Sequence, residues 1–216
     1  MDKILQTQFT HILNGLHDQT EEIEMAARLL AQASFGEGNV YIRGFGDFEL
    51  LEDFLTESET ALPGALKFGG IAPITSADRV LVLSKYADEP LSVFLEELEV
   101  ENIEYVLVCN KKGGRAGGGI AGGAGSAGAG GSGASGAGGS GASGAGAGGI
   151  AGTGGEGSAG ESPVDFESVH HFIDLKSPRE VVPTPDLDRI VNPYIMSFMY
   201  LYYQMYALIQ EMNSDE

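Results

Sequence analysis

The sequence has 216 residues, carries 31 acidic against 12 basic side chains for a net charge of -19, and contains a single cysteine. That charge excludes nucleic acid and anionic membrane surfaces as expected partners, because both would repel it, and one cysteine permits no disulfide within the chain. Residues 113–160 are almost all Gly, Ala and Ser, so residues 1–112 and 161–216 are expected to form a single α/β domain with one core, interrupted by a low-complexity insert.

The opening Met1-Asp2-Lys3-Ile4-Leu5-Gln6 lacks the basic start and apolar stretch of a secretory signal, which makes the cytoplasm the expected location. Ile4, Phe9, Ile12, Leu13 and Leu16 recur at near-helical spacing, and Ile23, Ala26, Ala27, Leu30 and Ala31 do so again. Two amphipathic helices are therefore expected. Asp18 or Thr20 can cap the second, Glu21 and Glu22 suit its positive end, and Gly36 and Gly38 stand where it should stop.

Val40-Tyr41-Ile42 reads as a short strand running into Gly44-Phe45-Gly46, after which Phe48, Leu50, Leu51, Phe54 and Leu55 restore a helical pattern that ends near Ser58. Ala65-Leu66-Lys67-Phe68 reads as a second, shorter strand. Val80-Leu81-Val82-Leu83-Ser84 is an apolar run without alternation, the pattern of a central strand covered on both faces. Pro90 opens a helix through Leu98, and Tyr105 to Cys109 gives another continuous apolar strand, with Cys109 as a small buried hydrophobe rather than a nucleophile.

Within the glycine-rich tract, Gly131 to Gly138 is repeated letter for letter by Gly139 to Gly146. The tract has no three-residue collagen period and is expected to be a flexible coil. Beyond it, Val164, Phe166 and Val169 could make a short helix, and His171 to Leu175 reads as a fifth strand. Asn192 and Pro193 look like a cap and first residue of a final helix through Met212, apolar around nearly all its circumference. Gln204, Gln210, Glu211 and its tyrosines argue against a membrane span and for a helix shared between copies in a homodimer or larger homo-oligomer. Strands alternating with helices imply a doubly wound parallel sheet of five strands flanked by helices.

Two N-terminal helices, then Val40-Tyr41-Ile42-Arg43-Gly44-Phe45-Gly46, then Asp78 to Ser84 leading into a helix, resemble the sugar isomerase (SIS) superfamily, including phosphoheptose isomerase-like proteins. The resemblance covers residues 1–110 and resumes at Pro163, and it implies an SIS or flavodoxin-like fold. In such proteins a sugar phosphate lies at the carboxyl ends of the first and third strands, on loops like Gly-x-Gly-x-Ser and Ser-x-Ser-Gly-x-Thr. The corresponding segments are Gly44-Phe45-Gly46-Asp47-Phe48 and Ser84-Lys85-Tyr86-Ala87-Asp88-Glu89. The resemblance thus implies Arg43, Gly44, Phe45, Gly46, Asp47, Ser84, Lys85, Tyr86 and Asp88 as ligand-binding positions.

Several hydroxyls of that pattern are replaced by acids. Asp47, Glu49, Asp88 and Glu89 stand at the two helix starts, where carboxylates can cap the N–H groups that would otherwise hold a phosphate, and would repel it. Arg43 and Lys85 are the local cations. An isomerase would need a base beside a carbonyl carbon, for which Glu49 and Glu52 are placed, although acids on a helix are usually solvated. His11 and His17 are six apart and face differently, and His170-His171 borders a strand, so no metal and no cofactor are expected. Three functions remain in order: binding of a sugar phosphate or related metabolite without catalysis, a structural or interaction role on a degenerate pocket, and aldose-ketose isomerisation.

Overall fold

The computed structural model describes residues 2–111, 162–186 and 188–214, which belong to one body; the glycine-rich insert lies outside them. Helices α1 (Asp2–His17) and α2 (Thr20–Phe35) lead into strand β1 (Val40–Gly44). A 3-10 turn (Gly46–Leu51) and helix α3 (Glu52–Glu57) precede β2 (Ala65–Lys67) and β3 (Arg79–Tyr86). Helix α4 (Glu89–Val100), β4 (Tyr105–Asn110) and β5 (Phe172–Asp174) follow, then a small hairpin of β6 (Val182–Pro183) and β7 (Arg189–Ile190), and the long helix α5 (Tyr194–Ser214).

The five longer-range strands form one sheet in the order β2-β1-β3-β4-β5, and all four pairings are parallel. This is the doubly wound α/β architecture expected from the sequence, with β3 at its centre. Alternate residues serve opposite faces, as the strand pleat requires. Ile42, Leu81, Leu83, Val106, Val108 and Ile173 pack beneath α2 and α5. Val80, Val82, Leu107 and Cys109 pack beneath Leu91, Phe94, Leu95 and Leu98 of α4. Every residue of β4 is buried, which is why its sequence is an unbroken apolar run. Cys109 is part of that core, and burial, with Asp174 and Asp88 nearby, holds its thiol protonated.

Three local expectations are corrected. Neither Asp18 nor Thr20 caps α2; Gln19 stands at the cap position without capping. Its side-chain amide is used elsewhere, donating to the Asp174 carbonyl at 2.9 Å and accepting from the Asp174 N–H at 3.0 Å. Asp174 lies on the edge strand β5, so a helix cap has been given up to close an open sheet edge. Residues 164–169 form turns rather than a helix, because Val164 and Val169 are drawn into the core under α4 while Phe166 stacks on Phe172 at 4.5 Å. Asn192 does not cap α5: both polar atoms of its side chain are buried without a protein partner.

The long apolar helix is buried along one side, where Phe198, Leu201, Tyr202, Met205 and Ile209 join the core, and exposes Met196, Tyr200 and Tyr203 on the other. No helix among the described residues is long and apolar enough to cross a membrane.

Candidate functional site

Strand order reverses between β1 and β3: the chain moves outward from β1 to β2, then returns to β3 on the other side. In an open parallel sheet the loops leaving the carboxyl ends of two such strands diverge to opposite faces and leave a crevice, the usual place for a ligand. The two loops at this point are Gly44–Asp47 and the stretch from Ser84 to Asp88. With Arg43 at the end of β1, they contain the positions that the sequence singled out.

The β1 loop is built to fold tightly against itself. A Cβ on Gly44 would lie 2.5 Å from the backbone carbonyl of Phe48, so no larger residue fits without moving main chain. Gly46 has φ +60, the left-handed region that glycine enters without steric cost. The Phe45 N–H donates to the Leu83 carbonyl at 2.8 Å and ties this loop to β3. The Phe45 ring packs against Phe94 at 5.5 Å and carries the Arg43 guanidinium 5.1 Å above it.

The acids at this turn act differently from the sequence expectation. Asp47 and Glu49 make no cap at the start of the 3-10 turn. Glu52, further along, binds the end of the strand instead: it is buried, accepts the Gly44 N–H at 2.8 Å, and lies 3.9 Å from Arg43 and 3.4 Å from Lys67. It is not the solvated helix acid expected. Asp47 accepts a hydrogen bond from the Tyr194 hydroxyl instead. Burial and that carboxylate both raise the Tyr194 pKa, so the phenol keeps its proton.

At the β3 loop, Asp88 does cap α4, accepting the Leu91 N–H at 3.1 Å. Ser84 donates its hydroxyl to the Tyr86 carbonyl at 2.7 Å, and the Tyr86 hydroxyl donates to the Pro178 carbonyl at 2.8 Å. Asn110 links the next two strand ends: its amide donates to the Lys85 carbonyl and accepts the Ser177 N–H, both at 2.8 Å. The Lys85 ammonium lies 4.6 Å from the Tyr194 ring centre and 5.2 Å from that of Tyr86. These are cation–π distances, and no carboxylate among the described residues pairs with it.

Lys85 is one member of a wider pattern. Lys67 ends β2, Arg43 is the penultimate residue of β1, Lys85 that of β3, Lys111 directly follows β4 and Lys176 lies two residues past β5. Five of the twelve Lys and Arg in the sequence thus line the carboxyl edge of one sheet in a chain of net charge -19. Arg43 and Lys67 are held by Glu52, with Asp53 also on Lys67 at 3.0 Å, and Lys176 by Asp174 at 3.1 Å. Lys85 and Lys111 have no such partner among the described residues.

The structure therefore brings Arg43, Gly44, Phe45, Gly46, Asp47, Ser84, Lys85, Tyr86 and Asp88 to one edge. It adds Tyr194, Asn110 and Ser177, which sequence reasoning missed. A polar residue closing an apolar strand was a usable signal for Asn110; nothing local marks Tyr194, whose partner Asp47 is 147 positions away. His11 and His17 are exposed on α1, and His170 and His171 line a polar cleft with Arg79 and Glu104 around the opposite, amino ends of the strands. Burial lowers the His171 pKa. Among the described residues, no three His, Cys, Asp or Glu side chains cluster as a metal site.

The chain is 36% identical over 84 residues to the Uncharacterized protein YwjG of Bacillus subtilis (strain 168). That stretch is 38% of this chain and 49% of the relative, so the match spans about half the length of the curated protein. The family described as Domain of unknown function (DUF2529) matches residues 1–120 and 157–213, both sides of the insert and nearly all of the sheet and helices described above. By that match, the chain belongs to the DUF2529 family.

Proposed function

We propose that the protein binds a sugar phosphate or related phosphorylated carbohydrate derivative at the carboxyl edge of the sheet, as an SIS-like protein that holds the ligand without turning it over. Lys85 carries this reading. Of the two cations beside the point where strand order reverses, Arg43 faces Glu52, whereas Lys85 is poised over two tyrosine rings with no carboxylate partner among the described residues. An anionic group arriving at this sheet edge would meet a half-buried ammonium, already partly stripped of water, where a charge-assisted hydrogen bond gains most. The neighbouring Tyr86 ring, half-buried at this edge, offers a flat surface of the kind that covers sugar rings.

A non-catalytic role is favoured over isomerisation by the position of Glu52. The carboxylate best placed to act as a base is engaged by Gly44, Arg43 and Lys67, while Glu49 is exposed. The alternative of an interaction protein with a degenerate pocket draws on the commitment of Asp47, Ser84 and Asp88 to groups of the same chain. The exposed stripe of α5 is the surface proposed for contact between copies.

A thermal-shift panel of hexose and heptose phosphates, with the parent sugars and inorganic phosphate as comparators, separates these readings. A specific ligand at a hundred times its Kd should stabilise the protein by about 2.7 kcal/mol. Lys85→Met should abolish most of that shift while leaving the unliganded melting temperature nearly unchanged. If no phosphate ester moves the transition, or if Lys85→Met responds as well as the parent, the binding reading fails and the interaction role takes its place.

A further inference from the structure

The outer side of α4 presents a second surface, of different chemistry. Leu91, Phe94, Leu95 and Leu98 face the sheet, yet the helix also carries Val93 and Val100 on its outside, 51% and 81% exposed. Seven residues separate them, so they sit on one face two turns apart, about 10 Å along the axis. Together with Phe68, Gly69, Gly70 and Ile71 they wall a groove of about 940 Å³. The groove has an aromatic base, where Phe68 and Phe94 meet edge to face at 5.1 Å. A Cβ added at Gly69 or Gly70 would meet nothing within 4 Å, so the loop wall stands open.

The rim of this groove is acidic. Glu96, Glu97 and Glu101 line it, and none of them forms an ion pair among the described residues. The one cation on the groove, Arg43, lies over Phe45 and faces Glu52. Two exposed valines beside an aromatic floor would gain from being covered, and three unpaired carboxylates specify the charge of the cover. Apolar side chains at i and i+7 on an incoming helix match the spacing of Val93 and Val100, and basic residues flanking them match the glutamates.

We propose that the α4 groove is a docking site for a basic amphipathic helix of a partner protein. The reading stands on the groove and not on the ligand proposal; only Arg43 is common to both, and the test leaves it unaltered. The probe is a fluorescently labelled 18-residue peptide of Leu and Lys with an i, i+4, i+7 apolar stripe, titrated against the full chain by anisotropy. A scrambled peptide of the same composition, lacking the stripe, is the comparator.

The striped peptide should bind at least tenfold more tightly than the scrambled one. Glu96→Lys, Glu97→Lys and Glu101→Lys together should weaken it by at least tenfold, as should Val93→Ser with Val100→Ser. The same charge change elsewhere, Glu57→Lys, Glu59→Lys and Glu180→Lys, should leave most of the binding intact, and the melting curve of each variant confirms that it folds. Equal binding of the two peptides, or an equal loss in the distant charge variant, would show only the attraction of a basic peptide to an acidic protein and would overturn the proposal. So would light scattering in which the α4 variants turn a dimer into monomers, since a second copy would then be the occupant.

Discussion

Asp78 shows how one buried side chain can fix a turn and join it to a second segment. It is 3% exposed at the start of β3 and accepts four hydrogen bonds, from the N–H and hydroxyl of Thr75 at 2.7 Å each and from the N–H and amide of Asn39 at 2.7 and 3.2 Å. Burial alone would raise its pKa, but the bonds from Thr75 and Asn39 outweigh that and hold it below the ordinary carboxylate value. A depressed folded pKa contributes stability that is present above the unfolded value near 4 and is lost as pH falls through the folded one. Asp78→Asn should therefore cost about 2 kcal/mol at neutral pH, and the gap between variant and parent should narrow below about pH 4. Urea unfolding at pH 7, 5 and 3.5 measures this; a gap independent of pH would mean that shape rather than charge holds the junction. The sequence showed Asp78 only as the residue before an apolar run, because Asn39, 39 positions away, is brought to it by the fold.

At the scale of elements, what could be read in advance is what burial alone decides. β3 and β4 are legible as Val80–Ser84 and Tyr105–Cys109 because covering both faces of a strand removes the polar alternation, and α4 is legible from Pro90 and the spacing of Leu91, Leu95 and Leu98. What could not be read is any choice between equally good local options. Asp18 and Thr20 are good caps by residue type, but the chain uses Gln19 at that junction to close the β5 edge. Asp47 and Asp88 look equivalent after their strands, yet one reaches across to Tyr194 and the other caps its own helix. The difference lies in the backbone: Asp88 is extended, with φ -116 and ψ 174, before a full α-helix, whereas Asp47 lies inside a 3-10 turn. Asp88→Ala should accordingly lower stability by about 1 kcal/mol, the usual loss for a helix N-cap, while Asp88→Ser should recover most of it. Thermal unfolding followed by circular dichroism distinguishes the two, and equal melting temperatures for Ala and Ser would show that the cap contributes nothing.

On the scale of the whole molecule, charge sets where two copies could meet. The sequence has 12 basic and 31 acidic residues, 43 charges in all, and α5 carries one of them, Glu211. With a net charge of -19 on each chain, α5 is thus a nearly uncharged surface on which two copies can approach. Its outer face also offers what an interface core needs. Met196, Tyr200 and Tyr203 are 57%, 38% and 45% exposed, and they recur with Ala207 at spacings of four, three and four, one stripe along the helix. Exposed tyrosine and methionine in such a row are the residue types enriched where subunits meet, and a stripe of this kind is self-complementary when two copies pack about a twofold axis. Light scattering at micromolar concentration should therefore report a dimer, and Tyr200→Glu with Tyr203→Glu should give a folded monomer, because four carboxylates would be forced together across the axis. Raising the salt concentration should tighten the parent dimer, since the opposing term is screened repulsion between two acidic bodies. A parent protein that is monomeric at every salt concentration would leave the α5 stripe as an ordinary exposed face.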